Sequence, residues 1–196
     1  MIPELMGGRS LSHPLPLAVG KSSSKMYVGG QANADVAAGT TTAESGAENV
    51  TAQYTIPANS LVAGSTIRVR WATATSAVAG GTDNLTVRLR FGSNGTTMTS
   101  DTECAVSTAV DQDDAAHFCV GDMIIQVRTS VTAVAFGTIA DSDVLGSKLV
   151  SAQFEPSFTI DTTVANYVSI STLFGNANAN LAATQGFVVD IVNPGV

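Results

Sequence analysis

The segment IRVRW, residues 67–71, returns twenty residues further on as VRLRF, residues 87–91, and in both copies apolar and basic side chains alternate one by one. An extended strand gives that spacing a physical meaning, because successive side chains project to opposite faces of a sheet. Ile67, Val69 and Trp71 then share one face, and Arg68 and Arg70 share the other. Val87, Leu89 and Phe91 separate from Arg88 and Arg90 in the same way. The repeat predicts a sheet with one side in a core and the other side carrying concentrated positive charge.

The same period recurs along the chain. NVTAQYTI places Val50, Ala52, Tyr54 and Ile56 on one face and Thr51, Gln53 and Thr55 on the other, the pattern of a half-buried antiparallel strand. Further strands are predicted at residues 65–75, 83–92, 117–129, 131–139, 148–160, 166–174 and 185–192, separated by turn-rich pieces such as SAVAGGTDN and GSNGTT. Thr and Val are plentiful while Lys, Glu and Leu are scarce, which favours pleated strands over helices. About eight short strands predict a sandwich or barrel, and without a Cys…Trp…Cys pattern a jelly roll is preferred to an immunoglobulin-like fold.

The predicted architecture is all-β: a jelly-roll-like antiparallel β-sandwich over residues 48–196, preceded by an extended N-terminal arm over residues 1–47. The arm is rich in Gly, Ala, Ser and Thr and has no sustained period, so it lacks the apolar area to fold alone. Met26, Tyr27 and Val28 form the apolar anchor by which it is expected to dock.

Composition narrows the function. Charged residues make up 13% of the 196-residue chain and hydrophobic residues 44%, so its surface must be built largely from small neutral side chains, which lose little entropy when a contact orders them. The formal charge of −7 with 9 basic residues argues against nucleic acid, whose phosphates are bound by accumulated Lys and Arg. A local basic strip of Arg68, Arg70, Arg88, Arg90 and Arg128 remains. Prolines interrupt the N-terminal apolar residues, and no run approaches the ~20 residues of a membrane span; neither a cleaved signal nor a membrane partner is predicted.

Chemistry is sparse. The acidic loop DQDDAAH, Asp111 to His117, lacks the ligand order of an EF-hand and is expected to be a solvated loop. His13 and His117 are the only histidines and accompany no nucleophile motif. No catalytic residue, metal or cofactor is therefore predicted. Cys104 and Cys119 are either one bridge or two free thiols.

YTIPANSLVAGSTIRVRW, DNLTVRLRFG, GDMIIQVRT, FTIDTTVANYVSISTLFG and GFVVDIVN together resemble jelly-roll virion structural proteins of tailed bacteriophages, the class of capsid decoration or cement proteins, head fibres and fibre tips; the resemblance covers roughly residues 48–193. It implies a protein on the outer capsid surface that is not an enzyme, assembles with itself as a trimer and contacts the major capsid protein. The arm would then be a strap over the capsid lattice. The alternative role is a tail fibre or receptor-binding domain that recognises a host surface. In an oligomer the arginines would meet Glu155, Asp161 and Asp190 of a neighbour; the competing expectation is a solvated ladder within one subunit.

Overall fold

The computed structural model describes residues 25–28, 48–75, 84–95, 98–107, 110–111, 118–142, 148–174 and 182–193. Among the described residues eleven strands are formed: β1 (Lys25–Val28), β2 (Glu48–Ile56), β3 (Thr66–Thr75), β4 (Asn84–Gly92), β5 (Thr102–Val106), β6 (Val110–Asp111), β7 (Phe118–Thr129), β8 (Thr132–Ser142), β9 (Lys148–Thr159), β10 (Asn166–Phe174) and β11 (Ala182–Val192). They make a six-stranded sheet in the order β1-β11-β3-β7-β8-β9 and a five-stranded sheet in the order β2-β10-β4-β5, with β6 also paired to β4. Every pairing is antiparallel.

The order is that of a jelly roll. With β5 and β6 counted as one interrupted strand and the β8–β9 hairpin set aside, eight strands remain, and their sheet orders become 1-8-3-6 and 2-7-4-5. First and last strands pair, the second pairs with the last but one, and the chain winds inward as a folded hairpin. The β8–β9 hairpin then widens one sheet beyond its partner.

Alternation explains the burial. Ile67, Val69 and Trp71 of β3 and Val87, Leu89 and Phe91 of β4 are all buried in one continuous core with Met123, Ile125, Ile170, Val189 and Ile191. Phe91 meets Phe158 of the opposite sheet edge-to-face, with ring centroids 6.1 Å apart. Each large side chain fully removed from water contributes roughly 1.5–3 kcal/mol, more than the ~1 kcal/mol of a typical hydrogen bond. Inter-sheet packing therefore sets the fold, and polar contacts adjust it.

Among the described residues, register shifts interrupt simple alternation in five strand pairs, and two of them change which residues reach the core. The β2–β10 register shifts between Ile170 and Ser171, which face Ala52 and Val50, so Thr51 is the extra residue of a bulge. Thr51 turns inward and is buried, while Val50 is exposed, correcting the expected apolar face of this strand. A second shift, between Leu89 and Arg90, lets Cys104 and Ala105 both be buried in β5. That short, irregular strand carries no period that reads as one.

Three hydroxyls join the sheets where the bulge lies. Thr51 Oγ1 donates to the Ile170 carbonyl at 3.2 Å and lies 2.7 Å from Thr184 Oγ1, which is 3.1 Å from Thr73 Oγ1. Since each hydroxyl has one proton, the direction is fixed: Thr73 donates to Thr184, Thr184 to Thr51 and Thr51 to the backbone. Towards the other end of these strands, Gly64 takes a positive φ of 92° in the turn before β3, its N–H donates to the Val127 carbonyl, and Ser65 Oγ donates to Asn193 O at 2.6 Å.

Gly121 of β7 faces Trp71 of β3, and a Cβ there would lie 2.1 Å from the indole ring. Gly121→Ala is expected to destabilise the protein by about 1–3 kcal/mol through overpacking, read as a lower midpoint in urea unfolding.

Candidate functional site

The repeated arginines do not share one face. Arg68 and Arg70 leave the outer side of β3 in the six-stranded sheet, and Arg88 and Arg90 leave the outer side of β4 in the five-stranded sheet. The two outer faces point away from each other, so the single basic strip expected from the repeat is replaced by two separate sites. The reason is topological: a jelly roll puts these successive strands in opposite layers.

Neither site is a free cation. On the six-stranded sheet, Arg68 Nε donates to Asp122 Oδ1 at 2.8 Å, Arg68 Nη2 also bonds Asp122, and Arg70 Nη2 lies 3.2 Å from Asp190 Oδ2. In register Arg68 stands opposite Asp190, and Arg70 opposite Asp122, so both ion pairs run diagonally across adjacent strands. The hydrogen bonds and charge of Arg68 hold the Asp122 carboxyl below the usual range, and the same contact raises Arg68. Side chains about half exposed, 48% for Arg68 and 42% for Asp122, gain little stability from such a bond because water and salt screen it.

On the five-stranded sheet the same chemistry is enclosed. Glu48, at the start of β2, takes Arg90 in a two-pronged bond at 2.6 and 2.8 Å and lies 3.5 Å from Arg88 Nη1. Ser171 of β10 donates to the same carboxylate. Arg90 Nη1 donates to Asp101 O at 3.0 Å, while Arg88 Nε is 2.8 Å from Glu103 Oε2. Only 7% of the Glu48 side chain and 11% of Arg90 remain exposed, so this group is a fixed part of the body. Burial pushes the Glu48 carboxyl up, but hydrogen bonds from Arg90 and Ser171 and the charges of Arg90 and Arg88 outweigh it, leaving Glu48 below its ordinary value.

The remaining predicted residues are dispersed. Of the three carboxylates expected to meet arginines, Asp190 pairs with Arg70 inside the subunit. Asp161 accepts from Thr163 N at 2.8 Å and Thr163 Oγ1 at 2.6 Å, a local turn. Glu155 stands opposite Ala135 in β9, where its charge helps raise the Cys104 thiol. Arg128 is exposed at the end of β7 and forms no ion pair with the described residues. Met26, Tyr27 and Val28 fall in β1, whose backbone pairs residues 25–28 with residues 191–188 of β11.

Cys104 and Cys119 are free, buried thiols in opposite sheets. Burial, with help from Glu155 and Asp141 respectively, raises both well above an ordinary thiol, which makes them inert. Among the described residues no group of three or more His, Cys, Asp or Glu is placed to hold a metal. The loop from 112 to 117 and His13 lie outside the described residues.

Sequence reasoning missed Glu48, Glu103 and Asp122. Their signal is an opposite charge on a neighbouring strand, visible only once register is known. It also missed the exposed apolar side chains on the outer side of the six-stranded sheet: Phe118 and Val120 of β7, Phe136 of β8, and Phe154 of β9, which is 69% exposed. No protein-family model matches the chain, and no curated protein matches its sequence.

Glu48→Gln removes the charge that Arg90 and Arg88 are built around and is expected to cost roughly 2–4 kcal/mol near neutral pH. Because the folded-state pKa of Glu48 is depressed, its contribution is fully present above the ordinary value of 4.5 and is lost as pH falls through the folded value. Urea unfolding of both proteins from neutral pH into the acid range should show the gap narrowing below that point.

Proposed function

We propose that this chain is a structural protein of a bacteriophage virion that decorates and stabilises the capsid through contacts, with copies of itself and with the major capsid protein. The observation that carries this is the outer face of the six-stranded sheet, where exposed Phe136 and Phe154 lie beside ion pairs already fixed within the subunit. A broad face with large exposed apolar side chains is a mark of protein–protein contact, and jelly rolls recur in viral capsid domains. The low-charge composition and the phage-like segments support the same reading.

Anchoring explains how such a protein is held. β1 pairs residues 25–28 with β11 at the edge of the six-stranded sheet, and in this reading the arm of residues 1–47, anchored there, would lay the 24 residues before β1 as a strap over neighbouring capsomers. Binding to the assembled lattice and not to free subunits shifts the equilibrium towards the particle, by about 2.7 kcal/mol per site when the free protein is at 100 times its Kd.

Deletion of residues 1–24 leaves β1 in place and is expected to abolish binding to undecorated particles in co-sedimentation, while the thermal midpoint of the body is unchanged. Undiminished particle binding by the truncated, folded protein would contradict the strap. Binding to host cells, with none to particles, would favour receptor recognition instead.

A further inference from the structure

We infer that the outer face of β7, β8 and β9 is a self-complementary contact on which a second copy of this chain packs, related by a two-fold axis running along β8. The inference stands on the face itself and does not depend on the virion reading.

The register defines the surface. Ile124, Phe136 and Phe154 occupy one row across β7, β8 and β9, with Arg68 of β3 next in line. The adjacent row is Asp122, Thr138 and Ala152, with Arg70 next in line. Thus β8, with Ile124 and Phe154 on either side of it, presents apolar and small side chains, and the Arg68–Asp122 and Arg70–Asp190 pairs border them on the β7–β3 side. An apolar centre with a polar rim is the anatomy of a subunit interface.

The hairpin that carries Phe136 and Phe154 is also the part of the sheet that the eight-strand jelly roll does not require. A solvent-facing edge hairpin is ordinarily protected by outward charges. Here the described outward residues Thr132, Val134, Phe136, Thr138 and Ala140 of β8, and Ala152 and Phe154 opposite them on the edge strand β9, include no charge.

Electrostatics selects the partner. Each copy carries a net −7, so two copies repel unless they meet where charge is cancelled. On this face two arginines are matched by two aspartates, and the bonds within each subunit hold those side chains in place before contact. A strongly basic or acidic partner gains nothing from so balanced a surface, whereas a second copy matches it apolar to apolar. The axis along β8 lays Phe136 on its counterpart and Phe154 on the partner's Ile124. Three strands at ~4.8 Å spacing and about eleven residues at ~3.4 Å give roughly 500 Å² in projection. With side-chain relief this approaches the ~800 Å² per partner of a standard interface.

Sedimentation equilibrium of the full chain should give twice the 20.0 kDa chain mass, and Phe154→Glu should give a monomer that keeps the wild-type circular-dichroism spectrum and a cooperative unfolding transition, with the concentration dependence of its thermal midpoint lost. A variant that keeps the face intact provides the second arm. Thr138→Cys lies on the axis, about 10 Å from its counterpart for sheets packed face to face, and a short bis-maleimide should join two such chains; Thr55→Cys, exposed on the opposite sheet, should not be joined. Cys104 and Cys119 are buried and do not compete. A monomeric wild type, an assembly indifferent to Phe154→Glu, or cross-linking through Thr55→Cys in place of Thr138→Cys would overturn the inference. A monomer would also be the outcome if residues 1–24 cover the face within one chain.

Discussion

Two sheets, each with one continuously apolar side, can take that side out of water only by closing on each other, and the other features of this molecule follow from that closure. The alternation that buries Val69 and Leu89 also sends Arg68, Arg70, Arg88 and Arg90 outward. The chain's crossing between layers places the two arginine pairs on opposite surfaces. Dispersion and burial fix which residues are inside; the ion pairs can act only on what is left outside.

The interior is not uniformly apolar. Thr184, Thr73, Cys119 and Asp141 form one buried row across β11, β3, β7 and β8, and Thr51 reaches this row from the other sheet. An unpaired polar group in such a place costs about 1–3 kcal/mol, so the directed chain of three hydroxyls fixes the register between layers as well as contributing energy. The bulge at Thr51 is what makes that chain attainable. On the outer side, the Glu48 cluster does the corresponding work at the start of β2, tying that edge strand across β10 to β4.

Much of this was legible in the sequence, for a physical reason. Strands that face a core on one side and solvent on the other carry a period of two, and β2, β3, β4, β7, β8, β9, β10 and β11 lie where that period and its breakers put them. β5 was not legible, because five residues with a bulge at Cys104 have no period to detect. The inward turn of Thr51 in place of Val50 was hidden for the same reason. The site was less legible than the fold. Which arginines share a face depends on sheet order, and which carboxylate each one meets depends on register, neither of which is local. Asp122 and Glu48 therefore became recognisable as partners only in three dimensions, as did the exposure of Phe136 and Phe154 on a shared surface.

The body meets its partners with its ion pairs already made, its thiols buried and its inner hydroxyls directed, and with Phe136 and Phe154 exposed on one outer face. Such a body suits the proposed decoration of a particle, and its copy number there is the most direct test of that proposal. Quantitative mass spectrometry of purified virions should give its copy number relative to the major capsid protein. A ratio near one, or a simple fraction such as one-third, is expected of a protein that decorates the lattice. A ratio of a few per cent, or absence from the particle, would contradict it.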